Sequence, residues 1–351
     1  MHIDKRAWIK WGWVILLLVC GGFSLNADEG NDFGGFSPFP KQDIRTIIEA
    51  IINGRFDRGD SLATLLVKQH PEHPWGYFYK GAIIQARMID RNHVTDDVHF
   101  WRWMQQTITV AQQLEQRGEA TPIDYFYKGS AFYYMAFHYM KLGNWWQAYR
   151  YTRKGVHILE TVVKMDSSLW EAYLGIGAYK FWKSKKAGIL RFLFLVKNEK
   201  EMGLQLVHRA VQKARLIPEL AKDQLVYMLL EENQPLKAWQ LAKDNLRAFP
   251  ESRFFLWTYA KASFAAARWA AADSAYRQIW KQIHASPHQK RNFPHVLARL
   301  TCCACELGKV EEARQWFEKL QQVTSYPDID LPEEEIRKLQ NLPCLIGHVA
   351  Q

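Results

Sequence analysis

The hydrophobic pattern of residues 218–250 predicts two short helices joined by a tight turn. Leucines recur at helical spacing in the first half, and Asn233 and Pro235 interrupt this pattern before a second apolar stripe begins at Leu236. Two helices joined by so short a turn pack antiparallel, as a hairpin. One hairpin cannot bury both of its faces, so the pattern predicts further hairpins stacked against it.

Related patterns recur along most of the chain. The pentapeptide Tyr-Phe-Tyr-Lys-Gly occupies residues 77–81 and again residues 125–129, which is 48 residues further on. Residues 170–183 form a third, looser copy about 46 residues later. In each copy a glycine lies among aromatic residues, which indicates a close approach of two helices. With few strand-like runs present, we predict an all-α fold, an α-solenoid of about seven antiparallel helix pairs.

The central hairpin resembles the tetratricopeptide repeat. Ala238 is the small residue expected where the two helices touch, Ala242 follows one turn later, and Pro250 closes the unit. The resemblance implies a helical-repeat protein of the tetratricopeptide superfamily and is carried by these positions alone.

Residues 1–27 have the organisation of a secretory signal peptide. A basic start precedes an apolar run over residues 11–25, and the small Ala27 follows it. The run is shorter than the roughly 20 residues that cross a bilayer. We therefore expect the remainder to be exported, in a bacterium to the periplasm or the outer-membrane face. An uncleaved anchor and lipidation at Cys20 are alternatives that give the same location.

The rest of the chain divides by composition. Residues 28–39 are rich in glycine and aspartate, carry no helical stripe and predict a flexible leader. Residues 40–324 carry the repeats. Residues 325–351 predict a linker followed by a short polar helix that begins at Glu333 and caps the last pair.

Sequence motifs for catalysis are absent. There is no P-loop, dinucleotide-binding glycine motif, nucleophile elbow or metalloprotease helix motif. His70 and His73 flank a turn with Glu72 between them, and the spacing matches no zinc-binding motif. We therefore predict a non-enzymatic protein without cofactor or metal. Repeats and export together favour a scaffold that binds a protein or peptide partner in the cell envelope, and no nucleic acid.

The candidate partner-binding residues are aromatic. Two roles are open for them: lining a groove that binds an extended peptide or apolar ligand, or filling wide helix–helix contacts in the core. The residues are Trp101, Trp103, Tyr125, Tyr127, Trp145 and Trp146.

Residues 183–198 break the repeat pattern, because five basic residues surround an apolar cluster. One interpretation is a peripheral membrane element, which would make the chain a membrane- or lipid-associated protein. A clamp over the concave face of the repeats and a connection packed on the repeats are the alternatives. The candidate membrane-contact residues are Lys185, Lys186, Arg191, Phe192 and Phe194.

The order of residues around this segment resembles the Iml2-like tetratricopeptide family, which is linked to the mitochondrial outer membrane and lipid droplets. The resemblance runs from Gly175 and Gly177 through Ser184 to Gly203. The Leu-Pro that the family places after the serine is absent, so no site residue is transferred.

The formal net charge of +10 favours binding to an anionic surface, either phospholipid headgroups or an acidic partner, although simple solubility is the alternative explanation.

Four of the five cysteines lie after the predicted signal, which is too few for a disulfide scaffold. Cys302, Cys303 and Cys305 share one predicted helix. Either all three are small core residues, or one of them forms a disulfide with Cys344.

Overall fold

The computed structural model describes residues 39–186, 197–324 and 333–346. Within these ranges all regular structure is helical. The helices, in chain order, are α1 (Lys41–Ile52), α2 (Phe56–Gln69), α3 (Trp75–Asp90), α4 (Val98–Arg117), α5 (Pro122–Lys141), α6 (Trp145–Met165), α7 (Trp170–Lys186), α8 (Lys200–Lys213), α9 (Pro218–Glu231), α10 (Pro235–Ala248), α11 (Arg253–Ala265), α12 (Trp269–Ile283), a 3₁₀ helix (Pro287–Asn292), α13 (Phe293–Glu306), α14 (Val310–Thr324), α15 (Glu333–Gln340) and α16 (Pro343–Ile346).

Helices α1 to α14 form sequential antiparallel pairs, so the predicted all-α fold of helix pairs is confirmed. The predicted signal peptide 1–27 and nearly all of the leader 28–39 lie outside the described residues. None of the helices in the described ranges has the length and apolar character needed to cross a bilayer.

The turns inside the pairs share one backbone conformation. A residue in the left-handed region follows the first helix in six of the pairs among the described residues: Gly54, Asn92, Gly143, Asn233, Ala267 and Gly308. The next residue donates its N–H to a carbonyl five positions back, for example from Arg55 to Ala50 at 2.7 Å. This bond satisfies a carbonyl that the helix end would leave unpaired. Glycine and asparagine recur here because they tolerate positive φ.

The contacts divide the described chain into two units. Residues 39–87 and 94–228 form the first unit, apart from the gap after residue 186, and residues 88–93 and 229–346 form the second, apart from the gap after residue 324.

In the first unit, paired helices touch backbone to backbone at glycines. A Cβ atom at Gly203 would lie 2.5 Å from the carbonyl oxygen of Gly177, and a Cβ atom at Gly155 would lie 2.9 Å from that of Gly129. Both glycine pairs therefore mark places where α7 meets α8 and α5 meets α6 without room for a side chain. Gly81, Gly129 and Gly177 are each 48 residues apart, so the third copy follows at 48 residues rather than 46.

The first helices of these pairs are joined to each other by buried hydrogen bonds. The hydroxyl groups of Tyr79 on α3 and Tyr127 on α5 are 3.0 Å apart. The hydroxyl of Tyr133 on α5 donates to the carbonyl of Gly175 on α7 at 3.0 Å. A buried hydroxyl that loses its partner destabilises the fold. These bonds therefore favour the packing of α3 against α5 and of α5 against α7.

An ion pair joins the start of the first unit to its end. The guanidinium of Arg45 on α1 is buried and donates to both carboxylate oxygens of Glu219 on α9, at 3.2 and 3.3 Å. It also donates to Glu49 at 2.6 Å. These contacts bring together helices 174 residues apart in sequence. Removing one partner would leave a buried charge unpaired.

The two members of the pairs α3–α4, α5–α6 and α7–α8 are buried differently. Every residue of α3, α5 and α7 is at least half-buried, whereas α2, α4, α6 and α8 each keep one exposed face. A helix that is apolar all round is an interior helix, and a helix with one apolar stripe covers it. The first helices are therefore the interior of this unit.

The second unit has a separate core built from α11 to α14. Its largest apolar members are Leu256, Tyr276, Ile279, Leu297, Leu300, Trp316 and Leu320. Asp90, at the end of α3, is fixed within this unit by Arg253, whose Nε donates to it at 2.9 Å, and by Gln289 at 2.7 Å. The side chain of Asn292 donates to the Asp90 carbonyl at 2.9 Å.

The cysteines of the second unit take both of the roles considered. Cys305 on α13 and Cys344 on α16 form a disulfide with a Cα–Cα distance of 5.6 Å, which is within the usual range. Cys303 is buried in the core, and burial raises the pKa of its thiol to about 12. Cys302 is half-buried and, like Cys303, is a free thiol.

The glycine contact of α7 and α8 predicts a large effect of one methyl group. In Gly203→Ala the new Cβ would also lie 2.6 Å from the backbone nitrogen of Phe181, so backbone must move. We expect the free energy of unfolding to fall by about 1–3 kcal/mol, measured by urea denaturation. Gly59→Ala is the matched control, because its Cβ meets only side-chain atoms, at 3.4 Å or more. It should be neutral or stabilising by up to about 1 kcal/mol. Equal stability of the two variants would contradict the proposed contact.

Candidate functional site

The exposed surface of the first unit is built by the second helices and the turns. No residue of α3, α5 or α7 is exposed, so these helices reach the surface only through half-buried side chains. A binding surface of this unit must therefore lie along the second helices, between them, or at the turns. The predicted binding residues differ in whether they reach that surface.

Tyr127 does not reach the surface. Its side chain is fully buried, at 0% exposure, and its hydroxyl pairs with that of Tyr79. The edge of its ring packs against Phe78 at 5.3 Å between ring centroids. Tyr127 therefore has the second role considered for these aromatics, which is filling the contact between helices.

Trp103 lies half-buried on α4, on the side that faces α3. Its ring is 6.2 Å from that of Tyr77, and the cations of Lys80 and Arg102 lie 5.6 and 4.9 Å from its centroid. Cation–π contacts of this kind hold a tryptophan in place at a surface. Trp103 is thus already engaged by neighbours of its own unit.

Tyr125 lies on the outward stripe of α5 beside an ion pair. Lys128 donates to Glu115 of α4 at 2.5 Å, and its ammonium lies 5.7 Å from the Tyr125 ring. The hydrogen bond from Lys128 holds the pKa of Glu115 below its usual value. Burial raises the pKa of the Tyr125 phenol, so it is protonated at neutral pH.

Four half-buried rings form a continuous row across α4, α5 and α6, which we call the aromatic row. Trp101 is 4.6 Å from Tyr139, Tyr139 is 5.1 Å from Tyr151, and Tyr151 is 5.7 Å from Phe132. The ammonium of Lys154 lies 5.4 Å from the Tyr151 ring. The row is a partly exposed apolar strip with a cation at one edge, which suits contact with an apolar side chain.

A buried histidine packs against Trp101 of the aromatic row. The ring of His138 stacks on Phe100 at 4.2 Å and meets the edge of Trp101 at 5.0 Å. The amide of Gln85 lies 3.4 Å from its Nδ1. Burial lowers the pKa of His138 to about 4, so the imidazole is neutral at pH 7. Asp97 fixes the start of α4 nearby by accepting from the backbone of Phe100.

Trp145 and Trp146 begin α6 and are exposed, at 36% and 67% of their side chains. The side chain of Asn144 accepts from the N–H of Gln147 at 3.3 Å and so caps the helix. Their predicted role in binding stays a prediction. Their exposure leaves them accessible to a partner.

The predicted membrane segment is described only at its two ends. Lys185 and Lys186 are half-buried at the end of α7, and the Lys186 ammonium lies 6.0 Å from the Trp182 ring. Arg191, Phe192 and Phe194 lie outside the described residues. The role of this segment in membrane contact stays a prediction.

The two ends of that segment are held together. Glu199 accepts from Lys180 and, at 2.6 Å, from Lys183. Its backbone N–H donates to the hydroxyl of Ser184 at 2.8 Å. The end of α7 and the residue just before α8 therefore lie next to each other.

Sequence reasoning missed Phe132, Tyr139 and Tyr151. Tyr125, Phe132 and Tyr139 are seven residues apart on α5, a spacing that places them on one side of a helix. That signal was present in the sequence. The spacing does not show, however, that this side of α5 lies between α4 and α6 and not against α3 and α7.

Within the described ranges there is no group of three or more His, Cys, Asp or Glu side chains that could hold a metal ion. His73 instead contacts Asp124 at 3.1 Å and stacks on Trp75 at 4.0 Å.

Comparison with known proteins gives structural likeness alone. No family model matches the chain, and no curated protein matches it. A solved structure of PilW, a widely conserved type IV pilus biogenesis factor, has a TM-score of 0.43 and 14% identity over 67% of this chain and 97% of its own. A human IFIT1 dimer with PPP-AAAA has a TM-score of 0.40 and 13% identity over 78% of this chain and 70% of its own. A second human IFIT1 dimer, with m7Gppp-AAAA, has a TM-score of 0.44 and 10% identity over 97% and 70%. At these values the likenesses assign neither family nor function.

The neutral state of His138 predicts a loss of stability in acid. Its pKa is about 4 in the fold and 6.5 in the unfolded chain, so between these values the unfolded chain binds the extra proton. Stability from this group is complete above pH 6.5 and is lost as the pH falls toward 4. Between pH 7 and pH 5 we expect a loss of about 2 kcal/mol, measured by urea denaturation. His138→Phe keeps a ring beside Phe100 and should lack this part of the pH dependence. The same dependence in both proteins would contradict the assignment.

Proposed function

We propose that this chain is an exported, non-catalytic scaffold that binds a protein or peptide partner in the cell envelope. The observation that carries the proposal is the aromatic row, whose four half-buried rings come from α4, α5 and α6 and stay partly exposed. Aromatic side chains dominate the binding energy of many protein interfaces, and they lose little conformational entropy on binding.

The row suits a partner that inserts apolar side chains between α4 and α6. Rings such as Tyr139 and Tyr151 provide flat apolar faces together with hydroxyl groups that can exchange hydrogen bonds. Lys154 adds a cation at the edge, which favours a carboxylate beside the apolar anchor. These groups offer contact area and charge, not a nucleophile with its base.

Export is supported by two observations. Residues 1–27 have the order of basic start, apolar run and small residue typical of a signal peptide. The disulfide between Cys305 and Cys344 is of a kind typical of oxidising compartments, since cytosolic thiols are kept reduced.

Site-specific crosslinking tests the row. A photoreactive phenylalanine in place of Tyr151, which keeps a ring at that position, should give one reproducible crosslinked protein in intact cell envelopes. The same residue in place of Leu65, which is half exposed on α2, is the control and should not give it. Phe132→Ala should lower the yield at position 151 at least about tenfold, as loss of an aromatic anchor does. Equal crosslinking at positions 151 and 65, or none at either, would contradict the proposed surface.

A further inference from the structure

The turn between α5 and α6 carries the densest group of exposed apolar side chains in the described residues. Leu142 and Tyr149 are 38% and 51% exposed, and Trp145 and Trp146 lie between them. The remaining exposed large apolar residues of the described ranges stand singly along the chain, such as Leu65, Val98 and Leu236. Four within eight positions therefore need an explanation of their own.

These side chains stand at an exposed turn. Gly143 and Asn144 between them are themselves exposed, and Gly143 takes a positive φ of 79°. The rings of Trp146 and Tyr149 lie side by side, with centroids 6.1 Å apart and planes 28° apart. We call Leu142, Trp145, Trp146 and Tyr149 the α6 tip.

The surroundings of the tip are cationic. Residues 125–159 contain five Lys or Arg and no Asp or Glu. Arg150 and Arg153 follow Trp146 by four and seven positions and so share its side of the helix. In the part of the chain that the structure describes, neither arginine has a carboxylate within ion-pair distance. Both are exposed.

The tip also borders the neighbouring helix. Arg153 and Tyr149 of α6 both act on the phenol of Tyr179 on α7, which places that phenol beside the exposed side of α6. Lys183 acts on the same phenol but is paired with Glu199 at 2.6 Å, so the exposed positive charge here comes from Arg153.

We propose that the α6 tip, together with Arg150 and Arg153, docks the protein on an anionic lipid bilayer. Tryptophan and tyrosine rings settle at the headgroup level of a membrane, and exposed guanidinium groups bind lipid phosphates. A second copy of the chain does not fit, because two faces of the same charge repel. A bilayer accepts exposed rings and cations without a fixed matching surface, whereas a protein partner must provide one.

This inference goes beyond the proposed scaffold, because it uses none of the four aromatic-row residues. It also places the membrane contact on α6 and not on residues 183–198. The two proposals therefore fail separately: crosslinking from position 151 tests the row, and lipid contact at position 146 tests the tip.

Hydroxyl-radical footprinting of the full chain tests the tip directly. Vesicles of phosphatidylcholine mixed with an equal amount of phosphatidylglycerol should reduce labelling of Trp146 severalfold, while pure phosphatidylcholine vesicles should reduce it much less. Met165 is the internal control, since it is also exposed and lies at the other end of α6, roughly 30 Å away. Its labelling should not change. Because the readout is specific to one residue, lipid contact through residues 11–25 does not affect it.

A second test measures the affinity of variants for the same vesicles by flotation. Arg150→Gln with Arg153→Gln should lower affinity for the anionic vesicles about 25-fold, since each basic residue contributes about fivefold. Trp146→Ser with Tyr149→Ser should lower it about tenfold or more. Leu236→Ser with Lys237→Gln removes an exposed apolar and a basic residue elsewhere and is the matched control, expected to bind like the wild type.

Two results would overturn the proposal. One is unchanged labelling of Trp146 in the presence of anionic vesicles, whether or not the chain floats with them. The other is wild-type affinity of both α6 variants. Capture of an acidic protein at position 146 without any protection by vesicles would assign the tip to a protein partner instead and would equally reject the lipid bilayer.

Discussion

The close approach of paired helices at glycines is the constraint on which the rest of the first unit depends. At Gly177 and Gly203 the two backbones meet where a single methyl group has no room, and Gly129 and Gly155 do the same one repeat earlier. Helices that pack this closely bring large aromatic neighbours such as Phe181 into contact on either side of the crossing. The 48-residue repeat preserves this contact in the pairs α5–α6 and α7–α8, whereas at the first copy Gly81 meets the side chain of Met104.

Burial of the first helices follows from that packing, and it decides where function can reside. Tyr133 and Gly175 join neighbouring first helices, and Arg45 and Glu219 bring the ends of the unit together. With α3, α5 and α7 occupied in this way, the second helices and their turns are the surface that partners meet. The aromatic row lies between two of these second helices, whereas the α6 tip stands at a turn, so one unit has two surfaces of different chemistry.

The parts of the fold that depend on local signals were predictable from the sequence. Apolar spacing and turn residues such as Gly54 and Gly308 act within a few positions, and the repeated pentapeptide marks the helix crossing at Gly129. Tyr127 was misplaced as a surface candidate, because a helix that is apolar all round does not indicate which side meets the core. The Cys305–Cys344 pairing stayed open, since connectivity depends on distances that spacing alone does not set.

Residue-resolved hydrogen–deuterium exchange tests most directly whether the first helices are the interior. In α5, which has no exposed side, slow exchange should extend evenly along the helix. In α6, which has one exposed side, faster-exchanging amides should recur with helical periodicity. An α5 that shows the same fast-exchanging side as α6 would contradict the account, because the first helices would then present an open face to solvent.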